Sequence, residues 1–335
     1  MRIVITGGAG FLGVRLARKI LSLGQIEMAG QAPLPVSSLV LIDRVQPPAE
    51  LMADVRVSAV VGDLNALFDP ASKPADMLGT DTALVFHLAA AVSGECEADF
   101  DLGMRSNLDA TRAVLQACRA LNTQPTVVFA SSLAVFGNSE AQPLPPVIDD
   151  CTLPTPQNSY GIQKFMCEQL VSDYGRKGFI RARNVRLMTV SVRPGKPNGA
   201  ASSFLSGMIR EPLAGVCGLC PVPRSTPVAL SSPGRTVEGL LCAASASDLQ
   251  WGALTAVNLP ALSTTVGDMA AALERIAGKP CADLIDWTPD AAITRIVSSW
   301  PANIHAARAQ KLGLLPDADI DSLIAAYRSE MQAKS

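Results

Sequence analysis

A strand that runs directly into a glycine-rich turn, and from there into a helix, is the most constraining feature of this sequence. Arg2–Thr6 has the composition of a buried strand, Gly7, Gly10 and Gly13 follow at equal spacing, and a helical pattern begins at Phe11. Glycine permits the tight turn, lets backbone N–H groups approach a pyrophosphate and lets the helix pack close to the strand. A bound phosphate would lie at the positive end of the helix. Glycine-rich turns also join strands to helices where nothing binds, so the turn alone leaves both interpretations open.

Composition narrows the class of protein. A chain of 335 residues with 48% hydrophobic residues can bury a large core and is expected to form two lobes. The net charge of −2 indicates neither a nucleic acid nor an anionic membrane surface as a partner. No signal-peptide pattern precedes the first strand, and no apolar stretch is long enough to cross a bilayer. We therefore expect a cytoplasmic protein that binds a small molecule.

The cysteines predict no disulfide framework and no metal site. Eight of them are scattered along the chain, without the regular spacing of a small disulfide-bonded domain. Cys217 and Cys220 form a close pair, but no second Cys or His pair lies nearby, so buried thiols are the favoured interpretation over a metal or redox site.

Strands and helices alternate through the first half of the chain. Further strands are predicted at residues 38–42, 56–61, 83–88 and 126–130, a long helix at about 104–120, and a Pro- and Ser-containing loop at 31–37. This alternation predicts an α/β fold with a Rossmann-type, doubly wound parallel sheet.

The alternation is lost after about residue 186, which predicts a smaller C-terminal substrate lobe. A Pro-rich run at residues 220–227 excludes a long helix there. Helices are predicted at about 267–277 and 320–331, and Trp287 and Trp300 are expected to serve in packing. We predict an NAD-binding domain at residues 1–185 and a substrate lobe at 186–335, with residues of about 235–260 returning to the Rossmann sheet.

Asp43 bears on the choice of cofactor. It ends the second predicted main strand, where a dinucleotide fold places a carboxylate that accepts hydrogen bonds from the adenosine ribose hydroxyls. Because that carboxylate repels a 2′-phosphate, NAD is predicted rather than NADP. Arg44 could instead accommodate the phosphate, and a strand-terminal Asp can also simply cap a loop. His87 lies at an apolar strand end and is predicted to be structural.

The strongest chemical pattern is a serine pair followed by a tyrosine and a lysine. Ser131 and Ser132 follow the fifth strand, and Tyr160 and Lys164 open the next helix, one turn apart on the same face. The lysine ammonium and the cationic nicotinamide of bound NAD would lower the phenol pKa from about 10. Tyr160 would then act as a general base, Ser132 would hydrogen-bond the reacting hydroxyl or carbonyl, and Lys164 would also hold the nicotinamide ribose.

Together these pieces resemble the extended short-chain dehydrogenase/reductases, a superfamily that also contains nucleotide-sugar epimerases and dehydratases. The resemblance covers the first half of the chain and rests on residues 6–13, 43, 62–64, 87–90, 107, 131–137, 160 and 164. It implies that Ser132, Tyr160 and Lys164 are catalytic and that the protein is a homodimer. It also implies that NAD contacts a larger set of residues, namely Gly7, Gly10, Phe11, Leu12, Gly13, Asp43, Arg44, Asp63, Leu64, Leu88, Ala89, Ala90, Asn107, Tyr160, Lys164 and Met188.

Longer strings at residues 98–105, 192–198, 202–204 and 209–213 resemble a dehydrogenase of four-carbon sugar acids, which implies NAD-dependent oxidation of a C2 hydroxyl. The segment at 186–195 lacks the Asn and the Tyr-Gly-Pro turn that nucleotide-sugar enzymes usually carry. Arg193, Lys196 and Asn198 offer two cations and an amide for a small carboxylate, with solvated loop residues as the alternative for each. The predicted substrate contacts are Ser93, Ser132, Tyr160, Arg193, Lys196, Asn198 and Arg235.

Three functions follow as hypotheses. The first is a dehydrogenase of a small sugar acid. The second is a nucleotide-sugar epimerase or dehydratase that recycles its NAD and forms no net NADH. The third is a non-catalytic NAD sensor, which the Ser132, Tyr160 and Lys164 set disfavours, because a sensor needs no tuned phenol.

Overall fold

The computed structural model describes residues 1–69, 77–197 and 199–332. The strands, in chain order, are β1 (Arg2–Thr6), β2 (Gln25–Met28), β3 (Gln31–Pro35), β4 (Ser38–Asp43), β5 (Val57–Val61), β6 (Thr82–His87), β7 (Thr126–Ser132), β8 (Arg181–Leu187), β9 (Thr189–Val190), β10 (Gly218–Leu219), β11 (Pro227–Ser231), β12 (Val257–Asn258), β13 (Leu262–Thr265) and β14 (Ile285–Asp286).

The α-helices are α1 (Phe11–Leu23), α2 (Ala49–Met52), α3 (Leu64–Leu67), α4 (Ser93–Ala98), α5 (Phe100–Gly103), α6 (Ala110–Ala120), α7 (Ser159–Arg176), α8 (Phe204–Leu213), α9 (Pro233–Ser245), α10 (Asp248–Trp251), α11 (Val266–Ala277), α12 (Lys279–Ala282), α13 (Ala291–Ser298), α14 (Ala307–Lys311) and α15 (Ile320–Gln332). A π-helical turn, Met104–Asp109, joins α5 to α6, and a 3₁₀ turn, Leu133–Val135, follows β7.

Seven parallel strands form the central sheet, in the order β12-β8-β7-β6-β1-β4-β5. The first strand, β1, pairs with β4 on one side and β6 on the other, so the strand order reverses at β1. This is the predicted doubly wound Rossmann sheet, and the prediction is confirmed. A ligand crevice is expected beside the carboxyl ends of the strands at such a reversal.

Both faces of the sheet are buried beneath helices. Within β1, Ile3 and Ile5 belong to the core cluster that includes residues of α1 and α9, whereas Val4 belongs to the cluster that includes residues of α6 and α7. Successive side chains of a strand point to opposite faces, so a strand covered on both sides is apolar along its whole length. This explains why β1 and β4 read as continuous apolar runs.

The prediction of a loop at residues 31–37 is wrong. Gln31–Pro35 forms β3, which pairs antiparallel with β2 in a hairpin. The backbone N–H groups of Ala29 and Gly30 at its tip donate to carbonyls at the end of α9, at 3.0 and 2.6 Å. Every residue of β3 is exposed, and an exposed edge strand accepts prolines because it has no neighbour on its outer side that needs their N–H groups. The hairpin lies between α1 and β4 and so lengthens the chain that separates the glycine turn from Asp43.

A second core lies in the C-terminal part of the chain. It gathers apolar side chains from α8, α11 and α15 around the three-stranded sheet β13-β11-β9. The helix predicted at 267–277 is α11, which Thr265 caps through Asp268 N–H. Strand β12 pairs with β8 in the central sheet. The division of the chain at residue 185 stays a prediction.

Among residues 1–69, 77–197 and 199–332, no helix combines the length and the apolar character needed to cross a membrane. In the same part of the chain, no three His, Cys, Asp or Glu side chains come together as a metal ion would require. The cysteines are free thiols, with Cys220 buried and Cys217 exposed.

Candidate active site

The carboxyl ends of the central strands line a cavity of about 560 Å³. This volume is typical of sites that hold a small ligand or cofactor. The cavity extends from the glycine turn after β1 to the start of α7 and to the segment that follows β9. It therefore reaches both the predicted cofactor site and the predicted substrate site.

The glycine turn has no room for side chains. Gly7 has φ +72°, and a Cβ there would lie 2.8 Å from the Ala89 amide nitrogen; a Cβ on Gly13 would lie 2.1 Å from the Gly7 carbonyl oxygen. Helix α1 begins at this turn with no acidic residue in its first turn and no side-chain cap. Its N–H groups and its positive end are thus open to a phosphate.

Asp43 and Arg44 lie at the next strand end and are both held in place. The Asp43 carboxylate accepts hydrogen bonds from the amides of Ala9 at 3.0 Å and Arg44 at 2.7 Å. The Arg44 guanidinium donates to Asp63 at 2.6 Å. Burial would raise the pKa of Asp63, but hydrogen bonds from Arg44 and from the Asn65 amide outweigh it and hold that pKa below its ordinary value. The Arg44 guanidinium is therefore already paired with a neighbouring carboxylate, that of Asp63.

Close packing brings the two predicted catalytic elements together. Asn158 caps α7 by accepting from the Gly161 amide at 2.8 Å. A Cβ on Gly161 would lie 2.0 Å from the Ala134 carbonyl oxygen, so the first turn of α7 lies against the 3₁₀ turn after β7. Ser132 caps that turn by accepting from the Ala134 amide at 3.1 Å. Tyr160, on the first turn of α7, lines the cavity with Ser132, whose hydroxyl favours the phenolate.

Tyr160 and Lys164 line the cavity together, as their spacing predicts. The Lys164 ammonium lies 5.8 Å from the centroid of the Tyr160 ring and donates to the Ala130 carbonyl at 2.8 Å. Burial lowers the pKa of Lys164 to about 8. The ammonium is thus anchored on β7 beside the phenol, in an environment that weakens its hold on the proton.

The pKa of Tyr160 differs from the sequence-based expectation. Burial raises it to about 12, against opposing contributions from the Ser132 hydrogen bond and the Arg193 charge. From the sequence, Lys164 and the cationic nicotinamide of bound NAD were expected to lower the pKa of Tyr160. Among protein groups alone, desolvation of the phenolate outweighs the neighbouring cations.

His87, which was predicted to be structural, and Asn107, which was predicted to contact NAD, both lie behind the cavity wall. His87 is buried, and its ring nitrogens are hydrogen-bonded to Thr6 at 2.6 Å and Thr111 at 2.9 Å. Asn107 is 1% exposed and does not line the cavity. Its amide accepts from the Ala91 N–H at 2.8 Å and donates to Gln163 at 2.8 Å. The Asn107 side chain, which the resemblance places along NAD, is therefore hydrogen-bonded to protein groups, and it holds the backbone after β6 in position.

Arg193 is the predicted substrate residue with the clearest geometry. It lines the cavity, and its Nη2 atom is buried without a hydrogen-bond partner among the described residues. Burial lowers the pKa of Arg193, and the neighbouring Arg210 adds to the effect. Helix α8 holds the backbone, because Ser206 accepts from the Arg193 N–H at 3.0 Å and Arg210 donates to its carbonyl at 2.8 Å. Unpaired buried N–H groups of a cation favour an anionic ligand.

The other substrate predictions are divided. Ser93 lines the cavity, where its hydroxyl accepts from the Ala201 amide at 3.0 Å. Lys196 is exposed and does not line the cavity. Arg235 also lies outside the lining and pairs with Glu238 at 2.8 Å, one turn along α9. Asn198 lies outside the described residues.

Most of the predicted contacts surround one cavity. They are Gly7, Gly10, Phe11, Leu12, Gly13, Asp43, Arg44, Asp63, Leu64, Leu88, Ala89, Ala90, Ser93, Ser132, Tyr160, Lys164, Met188 and Arg193.

Several lining residues were not predicted as contacts from the sequence. Glu95, Thr189, Ser202 and Trp300 also line the cavity. The expectation that Trp300 serves only in packing is incomplete, because its indole N–H is buried without a partner in the described part of the chain. No local pattern marks a tryptophan so far along the chain from the glycine turn as a wall of this site.

The profile of the NAD dependent epimerase/dehydratase family matches residues 3–225. The chain belongs to this family. A D-erythronate dehydrogenase from Cupriavidus necator is 50% identical over 330 residues, covering 98% of each chain. A D-erythronate dehydrogenase from Haemophilus influenzae is 40% identical over 324 residues, covering 97% of this chain and 98% of its own. A crystal structure of a nucleoside-diphosphate-sugar epimerase from Agrobacterium tumefaciens is 38% identical, with a TM-score of 0.88 over 100% of this chain and 95% of its own.

Membership in the epimerase/dehydratase family identifies the cofactor and the class of enzyme. The protein is an NAD-dependent oxidoreductase of the extended short-chain type. The residues of the cavity fit NAD. The glycine turn keeps side chains away from the start of α1, where a pyrophosphate would bind, and Asp43 lies at the end of the neighbouring strand, where a ribose would bind.

Proposed function

We propose that this enzyme oxidises the C2 hydroxyl of a small sugar acid, of the D-erythronate type, to the 2-oxo acid. One observation carries the proposal: a buried guanidinium nitrogen of Arg193, unpaired among the described residues, lines the same cavity as Ser132 and Tyr160. The D-erythronate dehydrogenases from Cupriavidus necator and Haemophilus influenzae support it as relatives. A small sugar acid carries a carboxylate for the arginine and a hydroxyl, one carbon away, for the tyrosine.

Arg193 is the proposed carboxylate anchor. A guanidinium can bind both oxygens of a carboxylate, which orients the substrate as well as holding it. Because helix α8 holds both backbone polar groups of Arg193, little backbone freedom remains to be lost on binding. The carboxylate would thereby fix which carbon of the acid faces Tyr160.

Tyr160 is the proposed general base and Ser132 the orienting group. The phenolate takes the proton of the C2 hydroxyl, while the Ser132 hydroxyl hydrogen-bonds the same oxygen. Loss of that proton and of the C2 hydride converts the alcohol to a ketone, which balances the reaction. Lys164, held by the Ala130 carbonyl at 2.8 Å, keeps a cation beside the phenolate.

Bound NAD supplies the nicotinamide that accepts hydride and that adds a positive charge near the phenol. The start of α1 is proposed to hold the pyrophosphate, and Asp43 the adenosine ribose. Asp43 disfavours a 2′-phosphate, and Arg44 is engaged by Asp63 at 2.6 Å. These groups together favour NAD over NADP.

The test is a substrate panel. Purified protein is mixed with NAD and a set of small aldonic acids that includes D-erythronate, and NADH absorbance is followed, with nucleotide sugars as a parallel set. The proposal expects net NADH from a small acid. Silence with every acid, combined with conversion of a nucleotide sugar without net NADH, would establish the second candidate, an epimerase or dehydratase. That candidate is favoured by the similarity to the nucleoside-diphosphate-sugar epimerase of Agrobacterium tumefaciens. Silence in both sets would leave the NAD sensor.

A further inference from the structure

The end of β7 and one face of α7 are joined at three successive positions. Ser131 donates its hydroxyl proton to the Glu168 carboxylate at 2.5 Å. The backbone carbonyl of Ala130, the residue before it, accepts from Lys164 at 2.8 Å, and Ser132, the residue after it, is the strand residue whose hydroxyl favours the Tyr160 phenolate. The three helix residues lie one turn apart on one face. Glu168 thus continues the row that the catalytic pair begins.

Glu168 also joins α7 to a second strand. Its two carboxylate oxygens accept from Arg186 Nε at 2.9 Å and Nη2 at 2.7 Å. Arg186 lies on β8 in register with Ser131 of β7. The two side chains are almost completely buried, Glu168 at 1% exposure and Arg186 at 6%. Replacing a buried ion pair with apolar residues is often neutral or stabilising, so stability alone does not account for this arrangement.

We propose that Glu168 is a positioning residue for the reaction: by binding Ser131 and Arg186 it holds the helix that carries Tyr160 and Lys164 at a fixed place on the strand that carries Ser132. This rests on the proposed function only in taking Tyr160 as the general base. The bond to Ser131 sets the register between helix and strand. The bidentate bond to Arg186 prevents the carboxylate from swinging away.

The Glu168 charge also acts on Lys164, one turn away. The groups facing the Tyr160 and Lys164 pair are His87 from β6, Cys96 from α4, Cys167 and Glu168 from α7, and Arg193 from the segment after β9. Burial lowers the pKa of Lys164, and Glu168 opposes that effect. Loss of the carboxylate would let Lys164 lose its proton at a lower pH and would loosen its place beside the phenol, so the phenolate would be less stabilised.

The test reads the phenol directly. The chain has three tyrosines, so the phenolate absorbance of the NAD-bound protein minus that of its Tyr160→Phe counterpart reports one residue. In the Glu168→Gln background, the ionisation of Tyr160 is expected to shift upward by roughly one pH unit, because displacing the Lys164 ammonium removes part of the stabilisation that a nearby opposite charge gives the phenolate. Ser131→Ala, which removes the strand-side partner and leaves the ion pair, is expected to shift it in the same direction by less. If the Glu168→Gln protein does not fold, the Ser131→Ala protein alone provides the test.

Asp248→Asn is the matched control. It removes the carboxylate that pairs at 2.6 Å with Arg183, another buried arginine of β8, and it is expected to reduce stability without moving the Tyr160 ionisation. An unchanged ionisation in both Glu168→Gln and Ser131→Ala would overturn the positioning role, as would an equal shift in Asp248→Asn. If Tyr160 of the NAD-bound wild-type protein does not ionise at the pH at which the enzyme works, Tyr160 is excluded as the general base. The two failures are therefore distinguishable.

Discussion

At the residue scale, the chemistry of this site depends on how burial competes with neighbouring charge. Burial raises the pKa of Tyr160 to about 12 and lowers that of Lys164 to about 8, so each group is moved away from its charged form. The Ser132 hydrogen bond and the Arg193 charge oppose this for the phenol. The ionisation of Tyr160 is therefore determined first by its burial and then by these two neighbours.

Replacing Tyr160 by Phe is expected to lower kcat by about 10²- to 10⁴-fold, the usual contribution of a general base. The affinity for NAD, measured by calorimetry, should change little, because the ring stays in place and only the hydroxyl is lost. Tyr174→Phe on the same helix is the control, since Tyr174 does not line the cavity. Turnover retained in Tyr160→Phe would exclude this tyrosine as the base.

Replacing Arg193 by Met is expected to lower kcat/KM for a sugar acid by about 10- to 100-fold. The reason is that a hydrogen bond to a charged group contributes about 1.5–3 kcal/mol. Steady-state kinetics with the acid and with an uncharged polyol of the same length would separate the carboxylate contact from general damage. Arg235→Met, outside the cavity lining, is the control. Equal losses with both substrates would contradict the anchoring role.

At the scale of elements, the turn between β1 and α1 depends on close backbone approach. Gly13 is buried on α1 against the carbonyl of Gly7, whereas Gly234 on α9 has only the Ser232 hydroxyl near it, at 3.8 Å from a Cβ. Two helical glycines thus have opposite surroundings. One is required by the turn, and the other only lowers helix propensity.

Gly13→Ala is expected to destabilise the protein by roughly 1–3 kcal/mol, the usual cost of overpacking, and to weaken NAD binding because the turn must shift. Gly234→Ala is expected to stabilise the protein by about 0.5–1 kcal/mol, since alanine favours a helix. Urea unfolding and NAD titration of both variants check this. Equal stability of the two would contradict the geometry of the turn.

At the scale of the whole molecule, one buried histidine links stability to pH. Burial lowers the pKa of His87 from 6.5 to about 3, whereas an unfolded chain would titrate near the ordinary value. Between these pH values the unfolded state binds more protons, so stability rises with pH across the window. The contribution is fully present above about pH 6.5 and is lost as the pH falls.

The free energy of unfolding is expected to fall by about 2 kcal/mol between pH 7 and pH 5, at roughly 1.4 kcal/mol per unit below the unfolded pKa. Urea unfolding at both pH values measures this difference. His87→Gln should remove most of it, and His305→Gln, at an exposed position, should leave it intact. A fall unaffected by His87→Gln would assign the dependence to other groups.

Homodimer formation and the cytoplasmic location stay predictions, and light scattering during size exclusion would test the first.

Local patterns in the sequence determined much of the site. The strand, turn and helix around Gly7 and Gly13, the position of Asp43 at a strand end, and the shared helix face of Tyr160 and Lys164 all follow from spacing between near neighbours. Such spacing predicts which residues share a face or a strand end. In a parallel sheet the strand ends meet at one edge, so much of the cavity lining could be predicted from the sequence.

Tertiary structure decided what each of these side chains touches. Asn107 lies behind the wall rather than along the cavity, Arg193 lines the cavity while Lys196 does not, and Glu168 pairs with Arg186, eighteen residues away. The direction of the Tyr160 pKa shift was also decided at this level. Burial and pairing depend on residues that are distant in the chain and on the depth of the site, and no local periodicity carries that information. The sequence alone therefore predicted which side chains share one site, and the tertiary structure decided their burial and their partners.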